Sequence, residues 1–217
     1  MVKASGNNLR WFCVNKSGET FQCESLEEYK HALRLLFDIT VIDFVSQPME
    51  IEFQDENGKW RKYTPDFLVS RIGGQKELHE VTRSDRRLSR LDSIRREHAA
   101  RVRCKELGLE FVSFSEHQLP QATEFANLDA LKGCAPLSYK DKEVFDLVLE
   151  KLPEQGTEIC AADLCREIAE ALDKPEGVVQ RTMCYMIWHQ YIASDLVNIL
   201  LLDKARFTRK AKLWYEE

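Results

Sequence analysis

The chain has 217 residues, 44% of them hydrophobic and 31% charged, with a formal net charge of −5. That composition supplies ample apolar surface for a packed core and excludes both a disordered chain and a uniformly basic one, while leaving room for a local basic face. The seven cysteines are odd in number and form no Cys-x-x-Cys pair, so reduced thiols are expected rather than a disulfide framework or a zinc site. The N-terminal run lacks the apolar segment of a signal peptide, and no apolar run approaches the roughly 20 residues of a membrane span. A soluble, cytoplasmic protein with no membrane partner is expected.

In chain order, Trp11-Phe12-Cys13-Val14 is a short β-like piece followed by polar turns. Ser25 then opens a helix, with Glu28 at the capping-box spacing and Tyr29, Ala32, Leu33, Leu35 and Leu36 at helical spacing, ending near Asp38. Val41 to Val45 reads as a strand, broken at Gln47-Pro48. Met49 to Phe53 alternates apolar and acidic residues, the period-two pattern of a strand. Asn57-Gly58 marks a hairpin turn leading to Trp60–Tyr63. The stretch Tyr63 to Thr82 holds two apolar runs, Phe67-Leu68-Val69 and Leu78 to Val81, joined by a turn with Gly73-Gly74. Residues 83–105 carry nine arginines or lysines against three acids on a thin apolar stripe, which predicts a helix from about Asp85 to Leu107. Gly108 stops it and Phe111–Phe114 is a last strand. Helix, strands, helix and strand describe a mixed α/β domain over 1–118.

Residues 119–138 contain Pro120, Gly133 and Pro136 without a long periodic pattern and read as a linker, with a short helical turn around Thr123 to Leu131. Helices are then expected over Lys142–Leu152, Ala161–Leu172 and from Pro175 to about Gln190. Tyr191 to Leu202 reads as two short strands around Asn198. Three helices and a β-hairpin suggest a small winged-helix domain over 139–217. This region has 15 acids against 11 bases, so docking to a protein is preferred to duplex binding. Trp188, Trp214 and Tyr215 are candidate interface anchors, with Trp188 better placed in the core.

The hairpin would bring Asp66 and Glu80 together at one end of a sheet. With Glu28 they form three acids suited to Mg²⁺ or Mn²⁺, which activate water and stabilise charge in phosphodiester cleavage. Strand alternation puts Glu80 and Thr82 on one face, and the Val81 carbonyl is a further candidate ligand. His79 faces the other way and is read, like His31, as structural. Arg83, Arg86, Arg87 and Arg90, directly after the hairpin, are candidate contacts to DNA phosphates.

The run ESLEEYKHALRLLFDITVIDFVSQPMEIEF, then YTPDFLV, then the glycine turn and LHEV, resembles the TnsA family, the endonuclease subunit of heteromeric transposases, over roughly residues 20–115. The resemblance implies a restriction-endonuclease-like (PD-(D/E)xK) core with a mixed sheet flanked by helices, followed by a winged-helix domain. It implies a Mg²⁺- or Mn²⁺-dependent DNA endonuclease of a cut-and-paste transposase that cleaves the 5′ ends of the transposon, while a TnsB-like transposase cleaves and joins the 3′ ends. Expected partners are transposon-end DNA, that transposase, and a TnsC-like ATPase regulator docked on the C-terminal domain, in the cytoplasm of a bacterium at its nucleoid. Glu28 matches the helix carboxylate, Asp66 the aspartate of the PD motif and Glu80 the next ligand. Thr82 stands where the family has a lysine. A base from elsewhere (Lys76, Arg83, Arg86 or Arg87), a lysine-free enzyme, or a catalytically impaired scaffold that binds DNA and partners are the three alternatives.

Overall fold

The structure, a computed structural model, describes residues 10–84, 91–152 and 158–215. It divides into two compact units, Met1–Leu119 and Pro120–Glu217.

In the first unit, β1 (Trp11–Val14) and β2 (Thr20–Cys23) form an antiparallel hairpin. Helix α1 (Leu26–Phe37) follows, capped by Ser25, whose hydroxyl accepts the Glu28 N–H at 3.1 Å. The central sheet has four strands in the order β3 (Val41–Ser46), β6 (Phe67–Arg71), β7 (Lys76–Val81), β8 (Glu110–Phe114). The β3–β6 and β6–β7 pairs are antiparallel and β7–β8 is parallel. The parallel pair needs a crossover, supplied by α2 (Leu91–Leu107). Strands β4 (Ile51–Gln54) and β5 (Trp60–Tyr63) make a separate two-stranded hairpin rather than extending the sheet. The turn between β6 and β7 holds Gly73 and Gly74 at φ +88° and +83°, backbone that glycine adopts without steric cost.

Alternation along β7 divides its residues between two layers. Leu78 joins Ile51, Tyr63, Ala100, Cys104 and Phe111 in a cluster under α2. His79 turns to the α1 side, where His31 and Phe114 pack on it and Phe44, Phe67 and Phe21 meet edge to face. The sheet therefore carries α1 on one face and α2 on the other.

The second unit contains α3 (Ala122–Lys132), a 3₁₀ turn (Leu137–Tyr139), α4 (Lys142–Lys151), β9 (Ile159–Cys160), α5 (Ala161–Leu172), α6 (Glu176–Trp188), and the short strands β10 (Leu202–Asp203), β11 (Arg206–Phe207) and β12 (Lys212–Leu213). Val144, Val148, Leu164, Ile168, Val179, Met183 and Met186 form its core. β10 pairs β11, and β12 pairs β9.

Two expectations need correction here. The stretch 119–138 is largely helix: Leu128 and Leu131 of α3 are buried in the second unit. The strands expected over 191–202 fall later, at 202–207. Both differences share a cause in Asn127. Its buried side-chain amide donates to the carbonyls of Leu196 and Ile199, both at 2.8 Å, and its oxygen accepts the Leu201 N–H at 2.8 Å. One side chain on α3 thus satisfies backbone groups that a strand partner would otherwise take. Trp188 is buried, as a core residue, and Tyr215 is exposed.

Among the described residues, no helix is long and apolar enough to cross a membrane.

Candidate active site

Asp66 lies immediately before β6, and pairing with β7 fixes it there. Its N–H donates to the His79 carbonyl at 3.2 Å, and its Oδ2 accepts the Val81 N–H at 2.6 Å. The Val81 backbone therefore holds Asp66 through its N–H, and Val81 itself borders an open cleft of about 570 Å³. Glu28, Glu80, Thr82, Arg83 and Arg96 line the same cleft.

Glu80 is held through one of its two oxygens. Its Oε1 accepts from Arg96 Nη2 at 2.9 Å and from the Thr82 hydroxyl at 3.0 Å. Its Oε2 is buried without a hydrogen bond of ordinary geometry, as is the Tyr63 hydroxyl beside it. Burial raises the Glu80 pKa, and Glu28 adds to the rise, while Arg96 and the Thr82 and Tyr63 hydroxyls oppose it. The Asp66 carboxyl is pushed well above the usual range, by burial first and then by the negative charges of Glu80 and Glu28. The Val81 N–H and Arg96 only partly offset this.

Glu28 approaches from α1, but its oxygens serve the helix cap. Oε1 accepts from the Ser25 hydroxyl at 2.7 Å, and Oε2 from the Glu24 N–H at 2.8 Å. This is a capping box displaced by one residue toward the N-terminus. The three acids thus converge electrostatically, yet among the described residues no three His, Cys, Asp or Glu side chains are close enough to cage an ion as they stand.

The other expected residues fall as follows. Arg83 does reach the cleft, because β7 ends at Val81 and strict alternation no longer applies to it. Its guanidinium lies 3.9 Å from Glu27 and is 52% exposed. Lys76 stands at the far, exposed start of β7. Arg86, Arg87 and Arg90 lie outside the described residues. His79 and His31 are buried on the opposite layer. His79 Nε2 donates to Glu77 Oε2 at 2.8 Å, so its Nδ1 is left to accept from His31 Nε2 at 2.9 Å. Arg71 completes the chain, with Nε 2.8 Å from Glu77. These histidines brace the sheet and do not face the acids.

Arg96 was not singled out in the sequence. It was one of nine basic residues in 83–105, and only its spacing marks it: Arg96, Ala100 and Cys104 are four apart, and the last two are buried under the sheet. Arg96 extends that inward stripe by one turn toward Glu80.

No curated protein matches the chain. The family model described as TnsA-like endonuclease N terminal matches residues 38–116. The matched span contains β3 to β8 with Asp66, Glu80, Val81, Thr82 and Arg96, whereas Glu28 precedes it. Such a domain has a restriction-endonuclease-like fold, in keeping with the mixed sheet between two helices. Residues 38–116 are thus similar to the TnsA-like endonuclease N-terminal domain, and that match supports assigning the chain to the TnsA family.

Proposed function

We propose that the chain is a divalent-metal-dependent DNA endonuclease subunit of a cut-and-paste transposase, acting at the 5′ ends of the element while a TnsB-like transposase acts at the 3′ ends. The observation that carries this reading is the meeting of Asp66 and Glu80 at one end of the β6–β7 hairpin. Glu80 lines an open cleft and Asp66 is bonded to Val81, which lines it too, inside a stretch that matches an endonuclease family. The residues fit a hard cation. All candidate ligands are oxygens, one Glu80 oxygen is buried without a hydrogen bond of ordinary geometry, and burial together with the charges of Glu80 and Glu28 pushes the Asp66 carboxyl up. Asp66 and Glu80 would hold Mg²⁺ or Mn²⁺, with Glu28 and the Val81 carbonyl adjoining. The metal, when bound, would activate water and offset charge on the phosphate.

The protein's own groups have separable tasks. The Val81 N–H fixes Asp66 in place. Thr82, held at its N–H by the Phe114 carbonyl at 2.9 Å, keeps its hydroxyl on Glu80 and can orient a water. Arg83 at the rim, with Arg86, Arg87 and Arg90 following it in sequence, would meet backbone phosphates without reading sequence. The second unit, read as winged-helix-like, would dock an ATPase regulator, which its acidic balance supports.

End cleavage by the full partner set tests this. Asp66→Ala is expected to abolish 5′-end cleavage while still assembling with its partners; full cleavage by that variant in Mg²⁺ sinks the assignment. One feature favours a second reading, a scaffold that binds DNA without cutting it: both Glu28 oxygens are engaged in the helix cap. Calorimetry with Mn²⁺ separates the two, since a scaffold with a closed site takes up no metal.

A further inference from the structure

Hydrolysis of a phosphodiester concentrates negative charge on the two non-bridging oxygens of the phosphate. The water oxygen bonds to phosphorus, and the ester P–O bond breaks with its electron pair on the leaving oxygen. The water loses a proton and the leaving oxygen gains one. A cation facing the phosphate lowers the barrier, and Thr82 brings none to its place beside Glu80.

Resting on the nuclease reading above, we propose that Arg96 is the cation that engages the scissile phosphate, delivered from α2 rather than from the hairpin. Among the described residues, the cations lining the cleft are Arg83 and Arg96. Arg83 is the more exposed of the two, 52% against 32%, and its neighbour is Glu27 on the rim. Arg96 stands inside, with Nη2 on Glu80 at 2.9 Å and its guanidinium carbon 4.9 Å from the centre of the Tyr63 ring. Its backbone is fixed as well. Ala100 and Cys104 anchor the next two turns of α2 in the core, and the adjacent Arg95 donates to the Asp55 carbonyl at 3.0 Å. A guanidinium presents five N–H donors in a rigid fork, so it can keep its contact to Glu80 and still turn a second edge toward phosphate oxygens. In the resting protein the same ion pair neutralises part of the acid cluster.

The test is single-turnover cleavage of transposon-end DNA by the assembled partner set in Mg²⁺. It compares wild type, Arg96→Gln, Arg96→Lys, Thr82→Lys and the double variant Thr82→Lys/Arg96→Gln, with Mn²⁺ titration calorimetry and melting curves on each. Arg96→Gln is expected to slow cleavage by about 100-fold or more while binding Mn²⁺ within a few-fold of wild type. Arg96→Lys should lose about tenfold, because an ammonium lacks the fork. The decisive arm is the double variant: a lysine at 82 should restore at least about tenfold of the lost rate, which a purely structural role for Arg96 does not explain. Arg96→Gln cutting within threefold of wild type, or no rescue by Thr82→Lys, overturns the role of Arg96 and leaves the nuclease reading standing. If wild type and Thr82→Lys both fail to cut while assembling normally, the nuclease reading falls and this inference with it.

Discussion

Asp66 offers the sharpest separation between what the fold needs and what the chemistry needs. Its Oδ2 accepts the Val81 N–H at 2.6 Å, and its charge is opposed by burial and by Glu80 and Glu28. Asp66→Asn keeps an acceptor and removes the charge; Asp66→Ala removes both. The alanine variant leaves the part-buried Val81 N–H without its protein partner, which costs about 1 kcal/mol. For a unit of this size that is a melting temperature about 3 °C below the asparagine variant. Without metal at pH 8, Asp66→Asn should melt at or above wild type. A carboxyl whose folded pKa is raised weakens the fold progressively above its unfolded pKa, and fully once it is ionised in the folded state. The gap between wild type and Asp66→Asn should therefore close as the pH falls toward the ordinary aspartate value of about 4. Saturating Mn²⁺ should reverse the order, raising wild type by about 2–3 kcal/mol at one hundred times its dissociation constant and leaving Asp66→Asn unmoved. Melting followed by circular dichroism, in chelator and in Mn²⁺ from pH 5 to 8, measures all of this. Equal stability of the two variants, with wild type above both in chelator, would refute the reasoning, for Asp66 would then be neither repelled nor holding Val81.

The buried His31–His79 pair sets a second pH dependence, of opposite sign. Burial is the first cause lowering both pKa values, the His79 charge adds to it for His31, and Glu77 only partly opposes it for His79. Their contribution is full above the unfolded histidine value of about 6.5 and is lost as the pH falls below it. Nitrogen chemical shifts should show both rings neutral at pH 6, and a ring protonated there overturns the account. Ser25→Ala should cost about 1 kcal/mol by removing the cap of α1. It should also free a Glu28 oxygen, so tighter Mn²⁺ binding in calorimetry is expected, and unchanged binding places Glu28 outside the metal site. Leu78→Ala empties a fully buried position under α2 and should cost about 3–5 kcal/mol in denaturant unfolding; a loss under 1 kcal/mol contradicts the packing described for that layer.

Local order along the first unit was legible because it is written in short-range chemistry. Ser25 with Glu28 marked the helix start, Gly73-Gly74 the hairpin, and the alternation of Leu78, His79 and Glu80 their opposite faces. Asp66 and Glu80 could be paired from that hairpin, since antiparallel register carries the two strand ends to one place. Three things needed the folded chain. Asn127 turns an apparent linker into part of the second unit through partners about 70 residues away, a separation no local pattern reports. Arg83 reaches the cleft because strand alternation stops at Val81, whose partner Phe114 is also the last residue of β8. Arg96 emerges from a run of nine basic residues only when α2 lies across the sheet. Sequence alone determined that two acids share one hairpin and that Thr82 brings no charge to it. Which cation stands opposite was decided by the tertiary packing of α2, since the inward direction of a helix is set by what it is packed against.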